Sequence, residues 1–323
     1  MSTDKPDISI IVPIFNEVES VPKLAKEIVD VLESANRSFE VWMIDDGSSD
    51  GSWDQIKALN DSDSRFAGIR FQANYGKSAA LSLGFEAARG RYVVTMDGDL
   101  QDDPAEVPQM IDTLEAGADL VSGWKKKRND PLAKTVPSRF FNSVTRVVSG
   151  IPLHDFNCGL KAYRIEVVRG VRVYGEMHRY IPVLAKRAGF KNIAEQVVNH
   201  RARQFGETKF GFERFVRGFL DLISVTFLTQ FAARPMHFFG TLGTLAFLGG
   251  LGINTYLSIL WLMGQPIGRR PLLFLGMLLI ILGVQLFSTG LLGEMIIRPS
   301  MESTARYAVT ARLEPRDDLT EAT

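Results

Sequence analysis

From Phe238 to Gly268 the chain carries no Asp, Glu, Lys or Arg, and after Arg269 and Arg270 it is free of charge again from Pro271 to Gly293. A membrane-spanning helix needs about 20 mainly apolar residues. Each stretch is long enough. Two in tandem, rich in Leu, Ile, Phe and Gly, predict a transmembrane hairpin, with helices over about 238–263 and 272–296, rather than a single buried core helix.

The connector, Gly264 to Arg270, is too short to hold a domain, so both flanks of the hairpin are expected on one side of the membrane. Arg214, Arg217, Arg234, Arg298, Arg306 and Arg312 flank it, against two arginines in the connector. The positive-inside rule then places the large N-terminal part and both termini in the cytoplasm, at a cytoplasmic membrane. Met1 to Asp7 is polar and Ile8 to Phe15 is too short for the apolar region of a signal peptide. The sequence divides accordingly into a soluble domain over 1–210, a juxtamembrane region over 211–235, the hairpin over 236–298 and a polar, mobile tail over 299–323. Within 211–233, Phe212, Phe215, Phe219, Leu222 and Ile223 recur at helical spacing between Arg214, Arg217 and Asp221. That pattern reads equally as an interfacial helix and as a helix packed on the soluble domain.

Composition narrows the function classes. Lys+Arg and Asp+Glu are both 37, so the net charge is zero, which argues against a nucleic-acid binder working through bulk positive charge. The lone cysteine, Cys158, excludes an intrachain disulfide and a cysteine zinc cluster.

The soluble part alternates strand and helix. Ile8–Val12, Phe39–Ile44, Phe66–Phe71, Tyr92–Met96 and Leu120–Gly123 read as strands, with helical spacing over Val18–Ser34, Ser52–Leu59, Lys77–Ala88 and Pro104–Glu115 between them. This α/β alternation predicts a mostly parallel sheet covered on both faces, with ligands at the carboxyl ends of the strands.

The polar motifs sit at those ends. Asp97-Gly98-Asp99-Leu100-Gln101 follows a buried strand. Its two carboxylates can converge on one hard cation, and Gln101 adds a neutral oxygen. Magnesium and manganese favour such oxygens, with substrate phosphates and water completing the shell. A solvated Asp-Gly turn has the same local sequence, and the position after a buried strand favours the metal. Asp45-Asp46-Gly47-Ser48-Ser49-Asp50 combines a carboxylate able to accept from a base or ribose, Asp46, with a turn and a helix cap. In Val12-Pro13-Ile14-Phe15-Asn16-Glu17, Phe15 either stacks on a base or enters the core, and Glu17 either binds ribose hydroxyls or belongs to a helix start. Basic residues gather later: Lys125 to Arg128, Arg139, and Arg201, Arg203 and Lys209 just before the juxtamembrane region, where an anionic lipid headgroup would arrive.

The ordered set Pro-x-Phe-Asn-Glu, Asp-Asp-Gly-Ser-x-Asp, Asn-Tyr-Gly-Lys, Asp-x-Asp-Leu-Gln, Asp-x-x-Cys-Gly and Arg-x-x-Gly-Glu-Thr-Lys resembles family-2 glycosyltransferases of GT-A fold, and more closely the polyprenyl-phosphate glycosyltransferases. The likeness runs from Ile8 into the hairpin. It implies a nucleoside pocket lined by Pro13, Phe15, Glu17 and Asp46, with Lys77 also on the nucleotide sugar. It implies that Asp97 and Asp99 hold Mg²⁺ or Mn²⁺ and the diphosphate, with Gln101 a third metal ligand. Lys125, Arg139, Arg203 and Lys209 match basic positions that hold the donor diphosphate and acceptor phosphate, and Asp155 and Gly159 match a motif near the acceptor.

Phe15 stands where Tyr is common in the family, which keeps stacking and loses a hydroxyl. Lys125 stands where Arg is common, which loses a bidentate grip on phosphate.

The implied reaction is inverting transfer of one sugar from a nucleotide diphosphate sugar to polyprenyl (undecaprenyl) phosphate for cell-envelope glycans such as lipopolysaccharide. UDP-glucose is the expected donor, with GDP-mannose, UDP-N-acetylglucosamine and a UDP-aminoarabinose as alternatives. A processive synthase would bring Gln-x-x-Arg-Trp, absent here, and a larger membrane channel. A non-catalytic membrane adaptor would not need Asp97, Asp99 and Gln101 intact. Gly243, Gly249, Gly250 and Gly252 permit close helix packing and make a homo-oligomer plausible.

Overall fold

The computed structural model describes residues 5–126, 142–173, 175, 177–201, 235–268, 270–300 and 309–313. Arg139, Arg203, Lys209 and the whole of 211–233 lie outside them. The chain forms two units, one containing the N-terminal part and the strand at 309–313, the other the two long apolar helices.

The first unit is built on a sheet that has eight strands among the described residues: β1 (Ile8–Ile14), β2 (Phe39–Asp45), β3 (Phe66–Phe71), β4 (Tyr92–Thr95), β5 (Leu120–Trp124), β6 (Lys161–Arg164), β7 (Ile193–Val197) and β8 (Val309–Leu313). Their order is β7-β5-β6-β4-β1-β2-β3-β8. β1 lies parallel between β2 and β4, with Ile10 opposite Val41 on one side and Val94 on the other. Its near-continuous apolar sequence follows from burial on both faces. β2 is buried along its whole length. Glu40 on β2 is accommodated by Ser9 Oγ, which donates to it at 2.6 Å, and by Arg89 Nε at 2.9 Å.

Helices α1 (Val21–Ser34), α2 (Ser52–Ser62), α3 (Lys77–Ala87) and α4 (Val107–Glu115) connect or flank these strands, as the periodicity predicts to within a few residues. α1 buries Val21, Leu24, Ala25, Ile28 and Leu32, the spacing of one helix face. Further on come α5 (142–149), α6 (Ile165–Gly170) and α7 (Ile181–Arg187).

The sheet departs from the expected pattern at its sides. β6 runs antiparallel between β4 and β5, so the sheet is mixed. Its first residue, Lys161, therefore faces Thr95 at the carboxyl end of β4. The second departure is β8. The tail was expected to be mobile throughout, yet residues 309–313 pair antiparallel with β3 and close that edge of the sheet. Leu313 packs against the apolar core and the Arg312 guanidinium lies 5.4 Å from the ring centroid of Trp42. Arg-Leu in a strand of alternating polarity supplies both contacts, a signal hidden by the polar residues on either side.

The second unit contains α8 (Pro235–Leu262) and α9 (Pro271–Ser300), with mean hydropathies of 1.6 and 2.3 in their spanning segments. At 1.5 Å per residue both exceed the roughly 30 Å hydrocarbon core of a bilayer. Both are long and apolar enough to cross a membrane. Glycines set their contact: a Cβ on Gly243 would lie 2.7 Å from the Gly283 carbonyl, and one on Gly250 would lie 2.6 Å from the Gly276 carbonyl. Larger residues there would separate the helices.

Candidate active site

The strand order reverses direction at β1: β2 lies on one side and β4 on the other. Ligands of such sheets bind in the crevice beyond the carboxyl ends at that switch. The loops after β1, β2 and β4 carry the three leading motifs, so the fold brings distant sequence segments to one edge.

Side chain to backbone bonds lock the first two loops together. Asn16, in the left-handed region at φ 57°, donates its N–H to Ser48 Oγ at 2.9 Å and accepts from the Ser49 N–H at 3.0 Å. The Glu17 N–H donates to Ser52 Oγ at 2.9 Å, and the Val18 N–H to Asp50 at 3.1 Å. Asp50 thus ties two loops while also capping the start of α2 through the Ser52 N–H at 3.0 Å. Phe15 projects from this knot 42% exposed, outside the core and open to a stacking partner. Pro13 sits beside it at the end of β1. Glu17 accepts from Ser20 Oγ at 2.9 Å at the entry to α1.

Asp46 has a different first task from the one expected of it. Its two oxygens accept the N–H groups of Tyr75 and Gly76 at 2.7 and 2.9 Å. Burial raises its pKa against the pull of those amides. The carboxylate holds the loop that leads into α3, and so sets where Lys77 starts. Gly47 makes this possible: at φ 76° it brings its Cα so near Ala73 that a Cβ would lie 2.8 Å from the Ala73 carbonyl carbon.

Lys77 Nζ forms an ion pair with Asp97. Burial opposes ionisation of Asp97, but Lys77 and then Lys125 outweigh it and hold the group well below the usual carboxylate range. The turn around it is fixed from behind. The Asp97 N–H donates to Asp102 at 3.1 Å, and the other Asp102 oxygen pairs with Lys125 Nζ at 2.9 Å. The Gln101 N–H donates to Asp99 at 3.2 Å. Leu100 adopts φ 62°, a left-handed kink that folds the motif back on itself.

Lys125, expected at the phosphates, is thus paired with a carboxylate of the same turn. It is 12% exposed and neutralises Asp102, which is fully buried. Asp155 was expected near the acceptor. It is 1% exposed and accepts the Asn157 N–H at 3.0 Å, an Asx turn that shapes the approach to Gly159.

Three residues near the motif, Asp102, Lys161 and His178, gave no clear signal in the sequence, and Arg201, grouped there with the basic residues before the juxtamembrane region, stands beside them. Asp102 orders the Asp97 turn. Arg201 clamps Asp103 at 2.7 Å and Glu27 at 2.6 Å, fixing the segment after Gln101. Lys161 and His178 line a polar pocket next to Asp97. Only the pairing of β6 with β4 reveals Lys161, and only tertiary packing brings His178 within 3.1 Å of Ser78 Oγ.

The donor set fits a divalent cation bound with a substrate. Among the described residues no group of three or more His, Cys, Asp or Glu side chains could hold a metal alone. Asp97 and Asp99, two residues apart on a kinked turn, offer the one or two carboxylates that magnesium-like ions take when phosphates complete the shell.

The family model described as glycosyl transferase family 2 matches residues 9–172. The chain belongs to this family. It is a glycosyltransferase with a GT-A fold. It is 39% identical over 302 residues to dodecaprenyl-phosphate galacturonate synthase of Rhizobium johnstonii, covering 90% of this chain and 88% of that one. It is 31% identical over 313 residues to undecaprenyl-phosphate 4-deoxy-4-formamido-L-arabinose transferase of Salmonella choleraesuis, covering 95% and 94%. The crystal structure of glucosyl-3-phosphoglycerate synthase from Mycobacterium tuberculosis with Mn²⁺, UDP and glucosyl-3-phosphoglycerate superposes with a TM-score of 0.53 at 19% identity, over 69% of this chain and 79% of that one. That likeness is one of fold.

Proposed function

We propose that this glycosyltransferase moves one sugar from a nucleotide diphosphate sugar to a polyprenyl phosphate at the cytoplasmic face of a membrane. The observation that carries the reading is the Asp97 turn at the β1/β4 switch in a chain that also has two long apolar helices. The two relatives above, matched over nine-tenths of the chain, both act on a polyprenyl phosphate by their names.

In this reading Phe15 stacks on the base, and Pro13 and Glu17 line the nucleoside site. Asp46 supports them by holding the loop that carries Lys77. Asp97, Asp99 and Gln101 would hold Mg²⁺ or Mn²⁺, which when bound supplies positive charge to the departing diphosphate. Lys77 keeps Asp97 ionised and ready for it. The acceptor needs no strong base: the second pKa of a phosphate monoester is about 6, so it is already largely dianionic at neutral pH. Its oxygen attacks the anomeric carbon in line and inverts it. The enzyme must align two anions and screen their repulsion. We assign Arg139, Arg203 and Lys209 to that screening on the strength of the family motifs.

Neither relative's name carries glucose, the sugar expected from the sequence.

The test is transfer of radiolabel from nucleotide sugars into organic-extractable undecaprenyl phosphate by the detergent-solubilised full chain. Transfer lost with EDTA and nearly abolished by Asp99→Ala is expected. Wild-type turnover in Asp99→Ala would overturn the metal assignment, and label reaching water alone would overturn the lipid acceptor.

A further inference from the structure

Lys161, the first residue of β6, is 3% exposed, a rare place for a lysine. Its amine reaches back under the loop that precedes it. There it donates to two carbonyls, that of Phe156 at 3.3 Å and that of Cys158. Burial lowers its pKa. The neutral amine has two N–H groups and the ammonium three, so both carbonyls are answered in either form.

The Cys158 carbonyl belongs to the peptide that joins Cys158 to Gly159. The next carbonyl, of Gly159 itself, accepts from Thr95 Oγ1 at 2.9 Å. Thr95 is the register partner of Lys161 across β4 and β6, and the Tyr163 hydroxyl lies 3.4 Å from the same Thr95 oxygen. The peptides on both sides of the Gly159 Cα are thus pinned, one by Lys161 and the other by Thr95. Each peptide is a rigid plane, so holding both fixes where that Cα stands.

The Cα stands against Asp97: a Cβ on it would lie 2.6 Å from the Asp97 carboxylate carbon. The carboxylate is therefore confined by three contacts. Lys77 pairs with it, Asp102 holds its backbone N–H at 3.1 Å, and the Gly159 backbone walls its side. The ion-pair partner is Lys77, so what Lys161 contributes is the position of one wall.

We infer that Lys161 is a positioning residue for the cation site: with Thr95 it fixes Gly159, and Gly159 fixes the Asp97 carboxylate. The inference rests on the reading of the Asp97 turn as that site and names the residues that support it from outside. A role through charge alone has the opposite sign. An ammonium near Asp97 repels a divalent cation, so its removal would tighten metal binding. Loss of a positioning contact weakens it.

The test is Mn²⁺ binding to the full chain in detergent, with and without UDP, read from the paramagnetic resonance of free Mn²⁺. Lys161→Met keeps the length of the side chain and removes its donors. It should raise the Mn²⁺ Kd by about 10–100-fold, the scale for a partner that orients a metal ligand. Lys161→Gln retains a donor and should restore part of the affinity. Thr95→Val removes the other pin and should raise the Kd in the same direction. The double variant should lose less than the product of the two, since both act through Gly159. Transfer kinetics should show a lower kcat with the KM for undecaprenyl phosphate unchanged. A lower melting temperature with unchanged Mn²⁺ affinity would make Lys161 a structural residue only and overturn the inference. Tighter Mn²⁺ binding in Lys161→Met would overturn it in favour of charge. If Lys161→Met does not fold, Thr95→Val decides alone, and unchanged affinity there overturns the inference. Wild-type protein that binds no Mn²⁺ in either condition would overturn the metal site itself, and the inference with it.

Discussion

Gly159 lies directly against the carboxylate of Asp97: a Cβ at position 159 would sit 2.6 Å from both Cγ and Oδ2 of that side chain. The neighbour that would have to yield is a short charged group held by Lys77, and no flexible side-chain tip is there to move aside. Position 159 thus shapes the site by having no side chain.

Gly159→Ala should therefore push Asp97 off its position while leaving the sheet intact. We expect kcat for transfer to fall by about two orders of magnitude, the scale of a roughly 1 Å misplacement at a reacting centre. The melting temperature should change little. Normal turnover in this variant would show that Asp97 is not needed where it stands.

Asp102 and Lys125 are the second target. Removing one partner of a buried pair leaves an uncompensated charge, at a cost of about 3–5 kcal/mol. Asp102→Asn and Lys125→Met should each lower stability on that scale, and the double variant should lose clearly less than the sum. A double-mutant cycle by denaturant unfolding checks this. Additive losses would mean that the pair is not coupled and that Lys125 is free for phosphate after all.

These two positions also show how far the sequence can be read. The order of β1 to β5 and the place of the Asp97 motif follow from apolar runs and helix periodicity, because a parallel sheet writes its core into contiguous segments. The motifs name Asp97, Asp99 and Phe15 for the same reason: each ends a buried strand. Asp102 and Lys125 are different. Their roles come from being aimed at each other across 23 residues of chain, and nothing local distinguishes a buried lysine from a solvated one in Lys125-Lys126-Lys127-Arg128. Lys161 was hidden because β6 is only Lys161–Arg164 and runs against its neighbours. β8 was hidden because an edge strand in a polar tail buries few of its side chains.

His178 should make stability sensitive to acid. Its folded pKa, lowered to about 2, lies below the ordinary histidine value near 6.5. The unfolded chain therefore takes up a proton that the folded chain refuses. The contribution is fully present above about pH 6.5 and is lost as pH falls toward 2, with a slope approaching 1.4 kcal/mol per pH unit for one proton. His178→Asn keeps a polar atom near Ser78 Oγ and removes the titration. Its melting temperature should fall less steeply than wild type between about pH 6.5 and 4. Parallel curves would show that the imidazole titrates normally in the folded protein.

β8 gives the last prediction. The strand covers the β3 edge, places Leu313 against the core and sets Arg312 over Trp42. An uncovered edge presents unpaired N–H and C=O groups to other chains. A chain ending at residue 308 should thus melt lower than the full chain and form aggregates in detergent, measured by scanning fluorimetry and size exclusion. Leu313→Asp separates the two effects: it retains the strand's backbone and buries a charge at the core's margin, so a loss of about 1–3 kcal/mol is expected with less aggregation than in the truncated chain. If the truncated chain melts with the full one and stays dispersed, the pairing of β8 with β3 contributes nothing to the folded unit.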